Sequence, residues 1–156
     1  MFAVCFRYAK DRDNALDMLQ EGFIKVYNHI GNFTHTGSLE GWVRRIMVNT
    51  AINHLRKNRH HSNVDDYAEF IPSQKVSVVE KLSAEDIMAL VRKLPTGYRT
   101  VFNMFAVEGF SHREIAESLG IKESTSRTQY LKAKKALQEM LTTQKDLEYH
   151  VRKENS

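Results

Sequence analysis

Apolar side chains recur along this chain at steps of three and four residues, and no segment sustains the two-residue alternation of a half-buried strand. That period belongs to helices laying one stripe on a core, so the expected fold class is all-α. Phe2, Cys5, Phe6 and Ala9 share a stripe of a first helix, closed by the polar run KDRDN, where Asp13 or Asn14 can cap the second helix. In that second helix Leu16, Leu19, Phe23, Val26 and Ile30 form a seam. Asp17, Gln20, Glu21 and Lys25 take its outer face, and Gly31 ends it. The run NFTHTGSL, residues 32–39, reads as a turn-rich loop. A third helix is expected from Leu39 to Asn58, with Trp42, Val43, Ile46, Met47, Thr50 and Leu55 available to the core.

The pattern then changes character. From Ser62 to Ser83 there are the acids Asp65, Asp66 and Glu69, a helix-breaking Pro72, and a run SQKVSVV without a helical stripe. An unstructured stretch of that length is uncommon inside one compact domain, which favours a linker over a surface loop. The expected organisation is two small helical domains, residues 1–59 and 84–142, joined by a flexible linker over 60–83 and followed by a polar tail over 143–156. In the second domain Ile87, Met88, Val91 and Leu94 face inward from a helix over Ala84–Leu94. Pro95 then opens another helix at the first-turn position it favours, with Tyr98, Val101, Phe102 and Phe105 on the core face. The tail is expected to fray, with Leu147 and Val151 able to carry the last helix one or two turns further.

Gly109 to Leu137 carries the strongest local signal. Ser111 followed by Glu114 is a capping-box pair, and Ile115, Ala116 and Leu119 give the helix one apolar face. Gly120 can take the positive φ of a tight turn. Ser124 or Thr125 can cap a second helix, whose Tyr130, Ala133 and Leu137 face inward. Arg127, Lys132, Lys134 and Lys135 populate the rest, and Glu123 is the single acid up to Gln138. Two helices about a glycine turn, the second basic, describe a helix-turn-helix. Its short polar start suits entry into a major groove, where Arg127 and Gln129 would reach base edges while the lysines neutralise phosphates.

Charge and composition sharpen this picture. The net charge of +4 and pI of 9.2 are moderate, so clustering matters more than the sum. From Gly41 to Val64 no acid occurs, whereas Arg44, Arg45, Arg56, Lys57 and Arg59 do, which favours a polyanionic partner. His54, His60 and His61 have no Cys or carboxylate at ligand spacing, and neither HExxH nor CxxC occurs, so no metal and no cofactor is expected. A hydrolase using those histidines with Asp65 and Asp66 is disfavoured, because the acids fall in the linker; no catalysis and no small-molecule substrate are expected. Single Cys5 excludes an internal disulfide and suits a reducing compartment. No apolar run approaches the ~20 residues of a membrane span. The start has neither a basic n-region nor a cleavage site. A cytoplasmic protein is expected.

Taken together, the segments ALDMLQEGFIKVY and GSLEGWVRRIMVNTAINHLRK, then across the linker LPTGYRTVFNMFAVEGFSHREIAESLGIKESTSRTQYLKAKKAL, resemble regions two and four of extracytoplasmic-function sigma factors. These are promoter-specificity subunits of bacterial RNA polymerase. The resemblance implies that the helix bearing Asp17, Gln20 and Glu21 docks on core polymerase, with Leu19 belonging either to that contact or to the core. It implies that Phe33, Thr34, His35 and Ser38 of the loop, with Asn49 of the next helix, capture an unstacked base of the minus-ten element. Phe33 serves equally well as a core plug. Asn53 precedes Arg56 and Lys57, which would hold phosphates. In the second domain the resemblance directs Arg127, Thr128, Leu131 and Lys132 to the minus-thirty-five groove. Ser124 and Thr125 would bind phosphate at the helix start, and Lys134 and Lys135 further along the helix would bind DNA as well. Ser126 and Gln129 depart from the aliphatic or basic residues common there, so sequence preference is expected to differ. An anti-sigma partner, which can be membrane-bound, is implied as well. Against the family pattern MFAVCFRYAKD starts inside the first region-two helix, so that domain is expected to be N-terminally short. The competing reading is a stand-alone helix-turn-helix regulator that grips a palindrome as a dimer; the basic third helix argues against it.

Overall fold

The computed structural model describes the backbone of residues 1–61 and 83–154, and the side chains of residues 1–57 and 83–142. The described residues are helical, with no strand among them, and they fall into an N-terminal and a C-terminal unit. The expected linker lies outside the described residues, except that His60 and His61 extend the third helix and Ser83 caps the fourth.

The N-terminal unit is three helices, α1 (Phe2–Tyr8), α2 (Arg12–His29) and α3 (Leu39–His61), each packed on the other two. The cap of α2 is Asp11, not Asp13 or Asn14: its carboxylate accepts from the Asn14 amide at 2.8 Å and again from the Asn14 side chain. The α2 seam is also displaced from expectation. The residues turned inward are Ala15, Met18 and Gly22, whereas Leu16, Phe23 and Ile30 of the expected stripe are exposed and Leu19 and Val26 are half-buried. Both rows have helical spacing, so periodicity alone cannot choose between them. The inner row wins because Gly22 in it lets α2 approach α3 closely, leaving no room for a Cβ beside Met47. Met47, Val48, Thr50, Ala51 and Ile52 of α3 complete this core with Val4, Cys5, Tyr8 and Ala9, while Trp42, Val43, Ile46 and Leu55 are half-buried at its margin. Burial raises the pKa of the Cys5 thiol. Lys25 is not an outer residue either: its Nζ donates to Thr50 Oγ1 at 3.2 Å and to Glu21 Oε1 at 2.7 Å, tying α2 to α3.

The C-terminal unit holds α4 (Ala84–Lys93), α5 (Thr96–Phe102), α6 (His112–Leu119) and α7 (Glu123–Glu154). Ser83, expected in the linker, instead forms a capping box with Asp86 at the start of α4. Leu90 and Val91 of α4 and its C-cap Leu94 pack on Ala133, Ala136 and Leu137 of α7, with Met88, Tyr98, Phe102, Met140 and Leu141 closing the rim; Ile87, expected inside, is exposed. Pro95 is the N-cap of α5 and not its first residue. Beyond Phe102 the chain widens into a π-helical turn, Asn103–Val107, where the Glu108 amide reaches back five residues to the Asn103 carbonyl. Gly109, at φ +77°, ends it. Among the described residues no helix is long and apolar enough to cross a membrane.

Candidate nucleic-acid interface

Helices α6 and α7 form the expected helix-turn-helix. The Ser111 hydroxyl accepts from the Glu114 amide at 3.2 Å, and Glu114 Oε2 accepts from the Ser111 amide at 2.9 Å, which is the reciprocal cap anticipated from the sequence. Gly120 takes φ +65° at the turn, a region that other residues enter at a cost. The second helix starts two or three residues earlier than a cap at Ser124 or Thr125 would put it. Glu123 is its first residue and the Ser126 amide bonds to the Lys122 carbonyl at 3.1 Å, so neither Ser124 nor Thr125 is the cap.

The two faces of α7 separate cleanly. Ser126, Gln129, Ala133, Ala136 and Leu137 are buried, while Ser124, Arg127, Thr128, Leu131, Lys132, Lys134 and Lys135 are exposed and Thr125 is half-buried. Spacing explains the result, since 124, 127, 128, 131, 132 and 135 fall on one side of a 3.6-residue helix. Gln129 is therefore corrected from groove reader to core residue: it is 8% exposed and lies against Gly97 of α5. Ser126 is committed inward too, its Oγ 3.0 Å from His112 Nδ1 at the start of α6. The His112 ring stacks on Phe105 at 4.3 Å and meets Tyr130 at 5.8 Å. This aromatic clamp sets the two helices of the motif against each other. Burial, and then the charge of Arg127, lower the His112 pKa, with Glu123 opposing. On the outer face Arg127 Nη2 donates to Glu123 Oε1, and the Thr128 hydroxyl donates to the Ser124 carbonyl at 3.0 Å. Lys134 lies 5.8 Å over the Tyr130 ring, and Lys135 is 3.8 Å from Glu139.

In the N-terminal unit the loop between α2 and α3 is built around Phe33. Its half-buried ring meets His35 edge-on at 4.7 Å and Trp42 of α3 at 5.6 Å, which makes it a plug for the loop. His35 is held at φ 58°, uncommon for a residue with a Cβ. Thr34 and Thr36 share a hydrogen bond at 3.0 Å, and Ser38 Oγ accepts from the Gly41 amide at 2.9 Å, capping α3. Asn49, Asn53, Arg56 and Lys57 are all exposed, and Arg45 joins them at helical spacing. The result is a polar, cationic stripe along α3 beginning beside the Phe33 loop.

The expected polymerase-facing residues divide. Asp17 and Gln20 are exposed, but the Glu21 carboxylate is bonded to Lys25 and lies 4.0 Å from His54 Nε2. The Lys25 hydrogen bond lowers the Glu21 pKa, with burial opposing. Sequence reasoning missed what surrounds Asp17 and Gln20. Leu16, Phe23, Ile24 and Tyr27, the last 82% exposed, form an exposed apolar face on α2. The missed signal was the small pair Ala15 and Gly22, seven residues apart, which marks the side where another helix comes close.

Comparison with known proteins gives this geometry its context. Residues 1–61 match Sigma-70 region 2, and residues 84–137 match Sigma-70, region 4. The chain is 29% identical over 142 residues to RNA polymerase sigma factor SigV of Bacillus subtilis, covering 90% of this chain and 84% of that protein. It is 29% identical over 148 residues to the RNA polymerase sigma-H factor of Pseudomonas aeruginosa, covering 86% and 77%. It is 28% identical over 148 residues to ECF RNA polymerase sigma factor SigE of Mycolicibacterium smegmatis, covering 90% of this chain and 57% of that protein. Among solved structures it shares its fold with the sigma factor RpoE of Bartonella quintana, crystallised with the anti-sigma factor NepR. That likeness has a TM-score of 0.57 at 22% identity and covers 90% of this chain and 89% of that one. With two sigma-70 regions matched in order over more than half its length, the chain belongs to the sigma-70 family, among the extracytoplasmic-function sigma factors.

Proposed function

We propose that this protein is a cytoplasmic initiation factor, without catalysis of its own, that binds core RNA polymerase and directs it to a two-part promoter. The observation that carries the reading is the division of α7 into a buried, aromatic-clamped side and an exposed side bearing Arg127, Thr128, Leu131, Lys132 and Lys135. A helix fixed from behind by His112, Ser126 and Gln129 presents those side chains to the upstream element as a rigid face. Ser124 and half-buried Thr125 sit where phosphate would meet the helix start. The downstream element is assigned to the Phe33–Ser38 loop and the stripe of Asn49, Asn53, Arg56 and Lys57. Phe33 braces the loop, while Thr34 and His35 stand on its exposed side. Core polymerase is assigned to the exposed α2 face, where Asp17 and Gln20 lie among Leu16, Phe23 and Tyr27 and Glu21 flanks them.

An anti-sigma partner is part of the same proposal, since the structurally similar RpoE was solved with one. The domain limits are proposed as 1–59 and 84–142, with α7 continuing into the tail. Native gel shift on promoter duplex separates this reading from a stand-alone regulator. A stable complex is expected only when core polymerase is present; tight binding of the free protein to a palindrome would favour the regulator.

A further inference from the structure

Glu123 stands in the first turn of α7, on a surface otherwise suited to phosphates, and no other acid occurs before Gln138. An acid near a polyanion costs affinity, and its benefit to an exposed helix terminus is small. On that face it pairs with Arg127: Glu123 Oε1 accepts from Arg127 Nη2, with the two side chains 44% and 63% exposed. The Thr128 hydroxyl proton is already committed to the Ser124 carbonyl, and Gln129 is buried, so Arg127 is the long exposed donor of the first two turns. An arginine held through one nitrogen keeps its remaining N–H groups aimed in a fixed direction, the arrangement that reading a guanine edge requires.

We propose that Glu123 is a specificity-determining positioning residue for the upstream element, holding Arg127 toward one base pair while its own charge weakens binding to every other register. Specificity arises here partly from a built-in repulsive element. The inference rests on the sigma-factor reading above, and on the Glu123–Arg127 pair being kept in the DNA complex.

The test uses the full chain assembled with core RNA polymerase and a pool of duplexes randomised over the upstream segment, followed by dissociation constants for the enriched duplex and its single-base variants. With E123Q, binding to random-sequence duplex is expected to tighten about two- to fivefold, while preference at one base pair falls by a similar factor. R127A should lose preference at the same base pair, and the double variant should lose no more than R127A alone. The thermal midpoint of E123Q should stay near that of the parent, which separates positioning from a structural role. Unchanged preference at every base pair in E123Q overturns the proposal, as does a loss at a different base pair from R127A. A parent holoenzyme that enriches no duplex overturns the function itself and this inference with it; an enriched duplex that E123Q reads normally overturns the inference alone.

Discussion

Gly22 of α2 lies so close to Met47 of α3 that a methyl group at Gly22 would overlap the Met47 sulfur. Met47 is fully buried, so its sulfur can give way only by shifting within a packed core. Gly22→Ala is therefore overpacking, and it should destabilise the N-terminal unit by about 1–3 kcal/mol. Gly31 meets nothing within 4 Å of an added Cβ, so Gly31→Ala is the matched control. Thermal denaturation followed by circular dichroism checks the pair. Equal midpoints for the two variants would contradict the close approach.

The same contact explains where the sequence misled. A reader of periodicity sends the large apolar stripe inward, which here runs through Leu16, Leu19, Phe23, Val26 and Ile30. The fold instead buries Ala15, Met18 and Gly22, since Gly22 in that row admits Met47 of α3 at close range. The capping box at Ser111 and the turn at Gly120 were legible because each depends on local chemistry within a few residues. Gln129 was misplaced because its polar side chain suggested the groove, although its spacing of four from Ala133 puts it on the inward stripe, against Gly97 of α5. The π-helical turn after Phe102 likewise leaves no simple mark in composition.

The displaced apolar residues yield a second prediction. Phe23 and Tyr27 are 49% and 82% exposed, so replacing them with Ser removes little that the isolated fold needs. If this face meets core polymerase, F23S/Y27S should weaken holoenzyme formation at least tenfold, as loss of aromatic anchors does at other interfaces. Fluorescence anisotropy of labelled protein titrated with core enzyme measures it, with the melting curve as control.

His112 gives the C-terminal unit a pH dependence of defined sign. Burial and the Arg127 charge put its folded pKa below the ordinary 6.5, so the folded state disfavours the proton that the unfolded chain accepts. The stability tied to neutral His112 is thus fully present above pH 6.5. It is lost as the pH falls from there through the folded pKa. His112→Phe keeps the stacking on Phe105 and removes the titration. Melting midpoints between about pH 7 and pH 5 should fall less for that variant than for the parent.

Lys132 and Lys135 are exposed and extend the reading face of α7. Their replacement by Ala should weaken holoenzyme binding to all duplexes alike and reduce the slope of log K against log salt by about one per lysine. Base preference should remain. A change confined to particular base pairs would mean that these side chains read sequence and do not merely neutralise phosphate.

Run-off transcription with purified core RNA polymerase tests the central claim most directly. A template bearing the duplex enriched by the holoenzyme is predicted to give a single defined transcript with the full chain. The transcript should be lost when the protein is omitted and should fall sharply with Arg127→Ala. A folded protein that joins core polymerase yet yields no start-site choice above core enzyme alone would contradict the account.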